Sequence, residues 1–65
     1  MARQKRTLKK AREAAKLSQL ALARRSKINQ ATISRIEAGK TPRPSMATAQ
    51  ALATALGVSV DTLRF

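Results

Sequence analysis

Glu13, Glu37 and Asp61 are the whole carboxylate complement of the chain, which contains neither histidine nor cysteine. Three scattered acids make neither a carboxylate metal cage nor a matched general acid and base, and without imidazole or thiolate the usual zinc and haem ligands are missing. The inventory points away from an enzyme and excludes a disulfide-stapled fold; it implies no metal, no cofactor and no evident small-molecule ligand. Against the three acids stand 14 lysines and arginines, a net charge of +11, with half of these cations in the first sixteen residues. Cations that neutralise phosphates release condensed counterions, so the expected partner is a polyanion, nucleic acid first and anionic membrane as the rival.

Sixty-five residues suffice for one domain, spanning 1–65. A chain this short buries only about 60% of its unfolded surface, and many of its apolar residues are alanine, which suits a thin all-helical core. The uncharged run 44–60 is too short to cross a bilayer and is interrupted by Ser45, Thr48, Gln50, Thr54, Gly57 and Ser59. The basic amino terminus has no apolar stretch behind it, so no secretory signal is read and a cytoplasmic location is expected.

Helical periodicity places Leu8, Ala11, Arg12 and Ala15 on one face of a first helix over 4–15, with residues 1–3 as a mobile basic arm. Ser18 is placed to cap a second helix whose Leu22, Ala23 and Ser26 share a face, and Leu20 either packs on the first helix or stands exposed. Asn29 caps a third helix with Ile33, Ile36 and Glu37 on one side and Gln30, Ala31, Ser34 and Arg35 on the other. Gly39 ends it, and Thr41-Pro42-Arg43-Pro44 cannot continue a helix. Ser45 opens a fourth helix whose buried stripe is Met46, Ala49, Leu52, Ala53 and Leu56, closed by Gly57. Ser59 begins a final turn or two carrying Val60, Leu63 and Phe65, giving five short helices in a compact all-α domain.

Two helices around a tight turn, the second with a polar outer face, fit a DNA-reading unit on so basic a chain. The letters are more specific: Leu17-Ser18-Gln19, Leu22-Ala23, the run Ile28 to Lys40 (INQATISRIEAGK) and the run Leu56 to Leu63 (LGVSVDTL). Together they resemble the Cro and repressor type (Xre-like) helix-turn-helix family over residues 7–65. That resemblance implies a lambda-repressor-like domain in which helices two and three form the helix-turn-helix. It also implies a transcriptional regulator, a repressor by preference, that binds double-stranded DNA at an inverted-repeat operator as a homodimer.

By the same resemblance the base-reading positions fall on Asn29, Gln30, Ala31 and Arg35, with Thr32 beside them. The side chains suit those roles: Gln30 can bond adenine N7 and N6 together, Arg35 can fork onto guanine O6 and N7, and Ala31 leaves only a methyl for a thymine methyl. Phosphate contacts are implied at Ser18 and Gln19, at Lys40, Thr41 and Arg43 after helix three, and at a spare N–H of Arg12. Arg3, Lys5, Arg6 and Lys9 could add nonspecific backbone or minor-groove contacts. Arg12 and Glu37 lie on otherwise apolar faces, and in the resembling repressors such a pair forms an inter-helix salt bridge. Arg43, Pro44, Met46, Val58 and Val60 are the expected self-contact surface. The family's usual glycine in the turn is Lys27 here, strained by roughly 1–2 kcal/mol if φ stays positive, unless the turn relaxes. Two other readings stay open: a protein-interaction helix-turn-helix module, which specific, two-fold footprints on a DNA library would speak against, and a nonspecific polyanion or membrane-surface binder, disfavoured because helix one offers lipid only Leu8 and alanines.

Overall fold

The computed structural model describes residues 6–40 and 44–65. Four α-helices build the domain: α1 (Leu8–Ala14), α2 (Gln19–Ser26), α3 (Gln30–Glu37) and α4 (Met46–Leu56). Each begins where a hydroxyl or amide oxygen meets an otherwise unpartnered backbone N–H. Thr7 accepts from Lys10 at 3.2 Å, Ser18 from Ala21 at 3.0 Å, Asn29 from Ala31 at 2.7 Å and Ser45 from Thr48 at 3.2 Å. The three caps expected at Ser18, Asn29 and Ser45 are therefore in place. Thr7 is an additional one. Each helix contributes one large, fully buried side chain to a shared cluster of Leu8, Leu22, Ile33 and Leu52. Ala11, Ala53 and Leu63 extend it, small residues allowing α1 and α4 to approach the carboxy-terminal segment.

Two expectations change. The fifth helix is replaced by a single 3-10 turn, Val60–Thr62, capped by Ser59, after which Leu63 turns into extended backbone. Leu63–Arg64 (β2) then pairs in parallel with Arg6–Thr7 (β1), with Arg6 opposite Leu63 and Thr7 opposite Arg64. Burying Leu63 against Ala11 and Ala53 takes the chain out of helical geometry, and the β-branched Val60 and Thr62 offer little helical preference to resist it. The first helix starts at Leu8, because Thr7 is both its extended cap and half of the β pair. Residues 1–5, including the expected arm, lie outside the described residues.

Two smaller corrections concern the apolar faces. Met46 is 66% exposed: as the first residue of α4 it precedes the turn that packs on the core, whereas Ala49, Leu52 and Ala53 are buried as expected. Ala15 is exposed, since α1 has ended before it. Leu20 is exposed as well, which settles its two alternatives in favour of the surface.

Candidate nucleic-acid interface

The turn between α2 and α3 is held by its own residues. Ser26 Oγ donates to the Leu22 carbonyl at 2.7 Å and accepts from the Ile28 N–H at 3.2 Å. Lys27 adopts φ 61° and ψ 23°, so the lysine keeps the left-handed conformation usually left to glycine. Asn29 then returns to extended backbone and caps α3. With Leu22 and Ile33 both fully buried, the rotation of α3 about its axis is fixed. Gln30, Ala31, Ser34 and Arg35 are consequently exposed and share the outer face, with Thr32 half-buried at its margin. Asn29 is exposed too, but its Oδ1 is committed to the Ala31 N–H. Ser34 belongs to this face by position, although the family resemblance implies no base-reading role for it.

Beneath the helix ends lies a polar seam. Arg12 of α1 forks onto Glu37 of α3, Nε to Oε2 at 2.7 Å and Nη2 to Oε1 at 3.1 Å, while Nη1 donates to the Leu17 carbonyl at 2.7 Å. The side chains are 12% and 5% exposed, so the inter-helix salt bridge is present and mostly buried. Gln19 Nε2 adds a hydrogen bond to Glu37 Oε1 at 3.0 Å. Burial pushes the Glu37 carboxyl up, but the hydrogen bonds from Arg12 and Gln19 and the charges of Arg12 and Lys9 outweigh it and hold the group below its ordinary value. The Arg12 guanidinium is raised chiefly by its hydrogen bond to Glu37, against desolvation.

One carboxylate thus ties the start of α2 and the end of α3 to α1. The Gln19 bond is not legible at that position of the sequence, where the resemblance implies a phosphate contact and the residue otherwise reads as an exposed first-turn residue. Its signal is the carboxylate itself, since a buried Glu needs donors for lone pairs that one arginine does not fill.

Ser18 and Lys40 are exposed at the two ends of this unit, and the Lys40 backbone is positioned by its N–H donating to the Arg35 carbonyl at 3.1 Å. Thr41 and Arg43, the other phosphate candidates of that loop, lie outside the described residues, as do Arg3 and Lys5. Arg6 is in β1 and faces an open groove beside α1 to which neither α2 nor α3 contributes. Among the surface residues proposed for self-contact, Met46 and Val58 are exposed and Pro44 and Val60 half-buried. Among the described residues no helix is long and apolar enough to cross a membrane.

The sequence matches a family model described as helix-turn-helix over residues 8–63, which contain all four helices, the 3-10 turn and the polar seam. No curated protein and no solved structure matches the chain.

Proposed function

The chain belongs to the Cro and repressor type helix-turn-helix family, a family of DNA-binding transcription regulators, and from that membership we propose a non-catalytic repressor domain that reads an inverted-repeat operator as a dimer. The observation that carries the reading is the two-sided character of α3: Ile33 fully buried on one side, Gln30, Ala31, Ser34 and Arg35 exposed on the other. An eight-residue helix displayed in this way can enter a major groove, with Gln30 pairing adenine and Arg35 forking onto guanine. Ala31 and Thr32 offer methyl groups to thymine, and the Asn29 amide nitrogen remains available at the edge of the face.

Phosphate contacts would flank the recognition helix. Ser18 keeps its hydroxyl hydrogen while its oxygen caps α2, and the N–H groups of Gln19 and Leu20 accompany it. Lys40, Thr41 and Arg43 would hold the other side. Gln19 and Arg12 join them only with the donor hydrogens left over from Glu37. Pairing through Arg43, Pro44, Met46, Val58 and Val60 would set two copies of α3 ~34 Å apart, one helical turn of DNA. Exposure of Met46 and Val58 supports that surface.

Selection of bound duplexes from random DNA tests the proposal. The wild-type protein should enrich a two-fold symmetric site, and Gln30→Ala and Arg35→Ala should each relax one base position in both half-sites. If neither alters the selected sequence, α3 is not the reader. A salt titration on the selected site should give a log-log slope of about −0.9 per neutralised phosphate, with Lys40→Ala shallower by about 1.

A further inference from the structure

An open groove of about 1080 Å³ lies between α1 and the carboxy-terminal turn, and of the described residues considered for DNA contact only Arg6 lines it. Its apolar lining includes Ala11, Ala14 and Leu56, and Arg6, Lys10 and Arg64 stand around it. The three cations are exposed, and none forms an ion pair among the described residues. The β1–β2 pair lines one side, and in a sheet of two strands each keeps one unpaired edge. Val58, part of the proposed pairing surface, also lines it.

Charge decides among the possible occupants. A second copy brings +11 of its own, and its only exposed acids are Glu13 and Asp61, Glu37 being buried under Arg12. Residues 1–5 and 41–43 carry Arg3, Lys5 and Arg43 and no acid, so no other segment of this chain is complementary. A DNA backbone matches the cations but has nothing to cover the apolar lining.

We propose that this groove docks an acidic amphipathic segment of a partner protein, with its apolar side chains against Ala14 and Leu56 and its carboxylates on Arg6, Lys10 and Arg64. Such a site uses the helix-in-groove mode of peptide recognition and leaves the outer face of α3 open, so the chain can hold a protein while it is on DNA. The assignment does not depend on which bases α3 reads.

Isotope-labelled full-length protein titrated with a synthetic peptide of helically spaced Leu and Glu tests it, beside polyglutamate of equal length and a random-sequence duplex as controls. The Leu/Glu peptide is expected to shift the amide signals of Ala14, Leu63 and Arg64 and to bind about tenfold more tightly than polyglutamate. Lys10→Glu/Arg64→Glu should weaken the peptide by about tenfold or more while the DNA sequence selected through α3 stays the same. If that variant loses its helical circular dichroism, Lys10→Ala/Arg64→Ala carries the test and should show a smaller loss in the same direction. Equal binding of polyglutamate, shifts confined to α3, an undiminished affinity of the folded variant, or a duplex that shifts the same groove signals and displaces the peptide would each overturn the proposal. Loss of sequence selection by Gln30→Ala and Arg35→Ala is read separately, so failure of the groove and failure of the DNA reading are distinguishable.

Discussion

Arginine and glutamine occur as a pair in two regions of this domain, with opposite fates. In the seam, Arg12 and Gln19 both donate to Glu37 and are largely withdrawn from solvent. On the outer face of α3, Gln30 and Arg35 are exposed and make no side-chain hydrogen bond to another described residue. The difference is the location of a single carboxylate. Residue type therefore does not separate scaffold from interface; what separates them is whether the fold has already supplied a partner for the donor hydrogens. The seam converts its donors into a fixed orientation of α2 and α3, and the outer face leaves its donors without a partner among the described residues.

The largest contrast is expected in stability. Glu37→Ala leaves Arg12 buried without its counter-charge and should destabilise the fold by about 3–5 kcal/mol in denaturant titrations, whereas Gln30→Ala and Arg35→Ala should each stay within about 0.5 kcal/mol. If Arg35→Ala proves as costly as Glu37→Ala, the two regions are not distinct. The reverse contrast is read in binding: on the selected operator, Gln30→Ala or Arg35→Ala should lose about 1–3 kcal/mol of discrimination at one base pair. A uniform loss over all sequences would instead make these side chains phosphate contacts.

The turn that sets the two regions apart offers a smaller effect of opposite sign. Lys27 and Lys16 both hold positive φ, 61° and 60°, so Lys27→Gly and Lys16→Gly should each raise stability by about 1 kcal/mol, the relief of left-handed strain less the greater unfolded-state freedom of glycine. Unchanged melting midpoints would mean that the turns tolerate lysine without strain.

The gentlest probe is acid. The Glu37 carboxyl is lower in the folded chain than its unfolded value of about 4.3, so its contribution is complete above that pH and is lost as pH falls through the native value. Denaturation midpoints recorded between neutrality and acid should therefore decline below about pH 4, and in Glu37→Gln the decline should be shallower. An identical acid limb in both proteins would remove Glu37 from the account. Arg12, raised from an already high value, contributes no pH dependence in this range.

Much of this arrangement is legible in the letters because it is local. Ser18, Asn29 and Ser45 announce helix starts through bonds that span two or three residues, and the spacing of Leu22 in α2 and of Ile33 in α3 assigns their inner faces. The outward position of Gln30, Ala31, Ser34 and Arg35 follows from the same spacing. Thr7 carries no such mark, because it stands in a basic stretch whose spacing predicts one continuous helix over 4–15. Met46 departs from its expected burial because periodicity assigns a side of the cylinder but not how far along the axis the neighbouring helix reaches. Lys16 carries no mark of its left-handed turn, since nothing in lysine's chemistry favours that geometry.

The sequence by itself determined the charge, the missing metal ligands, the helix limits at Ser18, Asn29, Ser45 and Gly57 and the sidedness of α3, all of which depend on composition or on bonds within one or two helical turns. Only the tertiary structure decided that Leu63–Arg64 leaves the helical path to pair with Arg6–Thr7, that Gln19 turns to Glu37, and that Arg6, Lys10 and Arg64 meet around one groove. Each of these joins residues far apart in the chain, and their encounter is fixed by packing around Leu8, Leu22, Ile33 and Leu52. No local propensity encodes that packing.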